Sequence, residues 1–149
     1  RDYKPYKQKE VTMAVEYLCK MCKGHLKVKT SIILAASKMN SSQKGLVLLD
    51  PELGNYTTTT HHPFRIEEGA EYTYTCPICH SQLNSAKYNH LVRIIRVEED
   101  GKQYDVYFSD IGGEQCTFKL GGDNIEIKGP DAAKYTKYFD IPEEDKKYL

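Results

Sequence analysis

Two short cysteine pairs, Cys19-Lys20-Met21-Cys22 and Cys76-Pro77-Ile78-Cys79, constrain this chain more than any other feature. Two residues between thiols allow a tight turn to aim both sulfurs at one point while backbone N–H groups face them. Two such turns supply a closed tetrahedral four-sulfur shell. Without an export signal, paired Cys-x-x-Cys motifs point to metal before disulfide. The alternative for the same residues is two unrelated pairs of reduced, buried thiols. The long stretch between the pairs leaves room for two hairpins.

The chain has 149 residues, 40% of them hydrophobic, with Lys+Arg 21 against Asp+Glu 21. That length fits one globular domain with short tails. Leu, Ile, Val and Phe are sparse, so the core is thin and something besides packing helps to hold it. No apolar run is long enough for a membrane span or a signal-peptide core, and the expectation is a soluble, cytoplasmic protein. The balanced total hides a gradient of +5 over residues 1–29, zero over 30–95 and −5 over 96–149. Such asymmetry points either to a polyanionic partner for the basic end or to segments that meet and cancel in the fold.

Most of the chain reads as strands separated by turns. Residues 12–18 alternate with a period of two and run directly into Cys19, and Tyr72 and Tyr74 deliver the backbone to Cys76 in the same way. Residues 28–36 and 45–49 read as two further strands, and 56–60 as a β-prone segment after a turn. The hairpin signal is clearest at 91–97 and 102–108 around Asp100-Gly101. A second hairpin follows, with residues 115–120 and 125–128 joined by a Gly-Gly-Asp-Asn turn. Residues 81–90 fit a loop or one short helix. Pro130 opens a short helical segment, and Pro142 a second acidic one. The fold class is therefore mainly β, with antiparallel hairpins around the cysteine site and a short helical C-terminal appendage. The organisation is a flexible basic, Tyr-rich arm at 1–10, a metal-binding β domain at 11–129 and an acidic aromatic tail at 130–149. A dinucleotide fold and a helical bundle are excluded, and no Gly-rich phosphate loop, GxSxG elbow or His-Glu-x-x-His helix is present.

The two cysteine segments, YLCKMCKGHL at 17–26 and YTCPICHSQL at 74–83, are alike: each has Tyr two places before the first Cys and Leu four places after the second. Here the chain resembles the zinc-ribbon and rubredoxin-like group, in which two knuckles on β-hairpins clamp one metal. The resemblance covers the knuckles alone. It implies one Zn²⁺ held by Cys19, Cys22, Cys76 and Cys79, with a single iron as the alternative. Members often carry Gly directly after the second cysteine, where this chain has Lys23 and His80, with Gly24 displaced by one place.

A complete four-cysteine shell leaves no open position for a reactive water, so the site is expected to hold shape rather than perform chemistry. His25 and His80 are alternative ligands, although four sulfurs suffice. His61 and His62 read as exposed residues at a strand end, Cys116 as a core residue beside Phe118 and Leu120, and His90 alone makes no triad. The functional expectation is a non-enzymatic zinc-binding module serving as a protein-binding or scaffold component of a larger complex, with no small-molecule substrate inferred. Candidate partner-binding residues are Tyr3, Lys4, Tyr6 and Lys7 in the arm, Lys20, Lys23 and Lys27 around the first knuckle, and Tyr135, Tyr138 and Phe139 in the tail. The lysines keep nucleic-acid contact open, or else offset the charge of the thiolates. The tail aromatics either pack on their own domain or dock on another chain. The alternative function is a rubredoxin-like electron carrier.

Overall fold

The computed structural model describes residues 15–122 and 124–139. These form two antiparallel sheets packed face to face. Sheet A has the order β1-β7-β8-β9-β10, made of Glu16–Leu18, Leu91–Val97, Gln103–Ser109, Thr117–Gly121 and Asn124–Lys128. Sheet B contains β2 (Lys27–Val28), β3 (Ser31–Lys38), β4 (Lys44–Leu49), β5 (Thr58–Thr60) and β6 (Tyr72–Thr75). Its central strand, β3, pairs with β4 along one edge and with β2 and β6 in succession along the other.

Alternation along the strands decides the faces, because successive side chains point to opposite sides of a sheet. In β3, Ile32, Leu34 and Ala36 are buried, and in β7 Val92 and Ile94 turn toward them. Tyr17, Tyr72, Tyr74 and Val106 join the same cluster, together with Cys19 and Cys76. The opposite face of sheet A carries Leu91, Tyr107 and Phe118. A 3₁₀ helix, Ala132–Phe139, covers them with Ala132 and Tyr135.

Both hairpins expected from Asp100-Gly101 and from the Gly-Gly-Asp-Asn turn are present, as β7–β8 and β9–β10. The helical segment after Pro130 is present as a 3₁₀ helix. The single strand expected over 28–36 is instead two strands. Lys29 adopts a positive φ of 56° and folds β2 back against the start of β3. Residues 81–90 contain no helix; Gln82 bridges Thr75 and Asn84 bridges Val92.

Candidate metal centre

Each cysteine pair sits at a corner where the chain leaves one sheet for the other. The first knuckle is entered from β1, paired to β7 in sheet A, and left through Leu26, whose carbonyl accepts from Ile33 N–H of sheet B at 2.8 Å. The second is entered from β6, paired to β3 in sheet B, and left through Leu83, whose carbonyl accepts from Arg93 N–H of sheet A at 2.9 Å. The two crossings run in opposite directions. The sulfur cluster therefore joins both sheets rather than closing a loop within one.

The corners are built alike. Cys19 N–H donates to Gly24 O and Cys76 N–H to Ser81 O, both at 3.0 Å. Lys23 N–H donates to Cys19 O at 3.0 Å, and His80 N–H to Cys76 O at 2.9 Å. Leu26 N–H reaches Tyr17 O at 2.7 Å, and Leu83 N–H reaches Tyr74 O at 2.8 Å. Lys23 and His80 have φ of 61° and 65°, so the left-handed turn that glycine provides in the resembling group is made here by Lys and His. Gly24 has a separate role. A Cβ there would lie 2.7 Å from Ile78 Cδ1 and 3.1 Å from Cys22 Sγ, so the missing side chain lets the second knuckle rest on the first.

Backbone donors converge on the sulfurs, as thiolates require. Met21 and Cys22 N–H groups lie 3.3 and 3.5 Å from Cys19 Sγ, and Ile78 and Cys79 N–H groups repeat those distances to Cys76 Sγ. Gly24 N–H lies 3.3 Å from Cys22 Sγ, and the Ser81 hydroxyl lies 3.3 Å from Cys79 Sγ. The four sulfurs are within 4.8 Å of one another, with Cys19–Cys79 at 3.7 Å and Cys22–Cys76 at 3.9 Å. A tetrahedron with Zn–S bonds near 2.3 Å has edges of about 3.8 Å. These separations are far too long for disulfides. The cluster therefore fits one metal ion with a closed four-sulfur shell.

The thiols titrate as an interacting set. Hydrogen bonding to Ser81 pulls Cys79 down to about 6. Gly24 N–H favours the Cys22 thiolate, but lost hydration and the neighbouring sulfurs outweigh it and push Cys22 up to about 11. Desolvation likewise raises Cys76. A dication held by Cys19, Cys22, Cys76 and Cys79 would favour all four as thiolates.

Cys19 and Cys76 are buried, Cys79 is half-buried and Cys22 is exposed. Lys20 turns inward: its Nζ lies 3.4 and 3.5 Å from the carbonyls of Leu83 and Asn84, and desolvation followed by the charge of Arg93 lowers its pKa. Lys23 donates to Lys20 O at 3.0 Å, while Lys27 lies in β2. Among the described residues no histidine joins the sulfur cluster. His25 faces Glu16 at 3.3 Å, His80 supplies the turn, and His61 and His62 are exposed. Cys116 is buried under the 3₁₀ helix, where desolvation drives its thiol up to about 12.

Tyr135 is buried on sheet A, and Tyr138 and Phe139 are half-buried beside it, with Phe139 4.7 Å from the Phe118 ring. In these three the packing alternative is the one seen. Tyr3, Lys4, Tyr6 and Lys7 lie outside the described residues, as does the tail beyond Phe139. Asn84 carried no signal in the sequence, yet it braces the second corner. Its Oδ1 accepts from Tyr74 N–H at 2.7 Å, and its Nδ2 donates to Tyr72 O at 3.1 Å and to Asp110 Oδ2 at 2.9 Å.

Fold and site together define a mainly β protein with a four-cysteine metal-binding cluster at the junction of two sheets. Comparison with protein-family models, curated proteins and solved structures returns no match. No helix among the described residues is long and apolar enough to cross a membrane.

Proposed function

We propose that this chain is a non-enzymatic zinc-binding module of a cytoplasmic protein complex, its Cys19–Cys22–Cys76–Cys79 site serving structure. The observation that carries the structural role is the position of the cluster where the chain twice changes sheet. A metal there fixes the two sheets to each other at their corner, the role a thin core requires. A shell filled by four sulfurs keeps no place for a substrate or a reactive water. Zinc suits a site with no redox demand; the sulfur spacing serves a single iron equally, and metal analysis separates the two.

A protein partner is favoured by the outer face of sheet B. Residues paired across strands share a face, so Val28, Ile33, Ala35, Leu46 and Leu48 stand together on it among Ser and Thr side chains. Val28 and Leu46 are 54% and 49% exposed. Within β2–β6 the outward positions carry one charged side chain, Lys44 at the end of β4. With a single lysine at its end, such a face offers phosphate little charge to bind and suits an uncharged, apolar protein surface. The inward turn of Lys20 supports the same preference, because a lysine committed to backbone carbonyls is a poor phosphate contact.

The test is a comparison of full-length protein with Leu46→Asp, at equal metal content, in cross-linked capture from native cells. A partner retained by the parent and lost from the variant supports the reading. Equal capture by both, or a salt-sensitive nucleic acid as the retained species, refutes it.

A further inference from the structure

Between the two sheets lies a cavity of about 170 Å³. Its walls are apolar, with Ile32 and Leu49 from sheet B facing Ile94, Val106 and Phe108 from sheet A. Its rim is formed by residues 50–58 and 111–117. An engineered cavity of about 150 Å³ is enough to hold benzene. None of the four clustered cysteines lines the space, so it is separate from the metal centre.

One polar group stands out against these walls. Tyr74 is only 6% exposed and lines the cavity, yet its hydroxyl makes no hydrogen bond to any described residue. Its neighbours differ: the Tyr17 hydroxyl donates to Pro51 O at 2.6 Å, and the Tyr72 hydroxyl accepts from Glu67 N–H at 2.7 Å. The Tyr74 ring is held edge-on against Phe108, with centroids 5.5 Å apart, so the hydroxyl is presented in a fixed direction. No buried side-chain oxygen among the described residues lacks a partner, so this hydroxyl reaches solvent and is open to an acceptor, and an apolar pocket with a few fixed polar groups is the usual composition of a small-molecule site.

Charge narrows the ligand. Asp50, Glu52 and Glu114 stand at the rim, and among the described residues no Lys, Arg or His lines the cavity. Glu114 is paired with Lys134 at 2.8 Å and Arg96 is held behind Tyr17 and Pro51, so Asp50 and Glu52 are the rim charges that disfavour an anion. We infer that the cavity between the sheets binds an uncharged, mainly apolar molecule of about one ring, whose hydrogen-bond acceptor is taken by the Tyr74 hydroxyl. This is a binding site additional to the metal centre, and it holds whichever metal the cysteines carry.

The inference is tested on metal-loaded, full-length protein by titration monitored by NMR, with acetophenone, toluene and benzoate as probes. Acetophenone is expected to bind saturably and to shift resonances of Val106 and Phe108. Toluene should bind about three- to tenfold more weakly, the range one neutral hydrogen bond supplies, and benzoate more weakly still. Tyr74→Phe removes an oxygen with no protein partner and should retain metal and fold while erasing the preference for acetophenone over toluene. Leu49→Trp, which fills the cavity from its half-buried edge, should abolish binding of both. Absence of saturable acetophenone binding, benzoate binding as tightly as acetophenone, or an acetophenone preference unchanged in Tyr74→Phe would each overturn the assignment.

Discussion

Lys23 and His80 hold backbone angles that side chains bearing a Cβ seldom adopt, each one place after the second cysteine of a knuckle. The turn needs those angles, since they redirect the chain so that Gly24 O and Ser81 O accept from the Cys19 and Cys76 N–H groups. Glycine meets the same geometry without steric cost. His80→Gly is therefore expected to stabilise the metal-loaded protein by about 1 kcal/mol, read as a higher midpoint in thermal unfolding; a lower midpoint would show that the imidazole supports the turn in another way. The cysteines separate more sharply. Serine at position 19, 22, 76 or 79 is expected to lose the metal and destabilise the fold. Serine at position 116, under the 3₁₀ helix, is expected to leave metal content intact. Equal retention by all five variants would sink the four-sulfur assignment.

Among the elements, the knuckles and the two C-terminal hairpins were legible because their signals are local: ligand spacing for the first, and turn residues with positive-φ tolerance for the second. The break between β2 and β3 was not, because it turns at Lys29, a residue type with no preference for φ of 56°. The crossing from sheet to sheet was also hidden. It depends on Leu26 pairing with Ile33 and Leu83 with Arg93, and long-range partners leave no mark in local alternation. Asn84 escaped notice for the same reason, since its value lies in meeting Tyr72, Tyr74 and Asp110. The crossings also make a prediction at this scale. Chelating the metal should accelerate amide exchange first in β1, β2, β6 and residues 82–84, the segments held at the corners, before β8 and β9, which are paired along both edges. Uniform acceleration through both sheets would mean that the corner has no separate stability.

For the whole molecule, the sulfur cluster and the apolar core are parts of one structure. Cys19 and Cys76 belong to the cluster of buried residues between the sheets, and Leu26 and Leu83, buried on leaving the knuckles, extend it. Metal binding and burial of this core should therefore occur together, as in other small proteins whose structural metal contributes folding energy. Lys20 braces the same corner from the side of the first knuckle. Among the described residues Val28 and Leu46 stay exposed on the outer face of sheet B, while the outer face of sheet A is covered by the 3₁₀ helix. The most direct test of this account is elemental analysis by mass spectrometry of untagged native protein, with an absorption spectrum taken on the same sample. The account predicts one zinc per chain and no visible colour. One iron per chain with visible charge-transfer bands, or a folded chain with no metal at all, would contradict it.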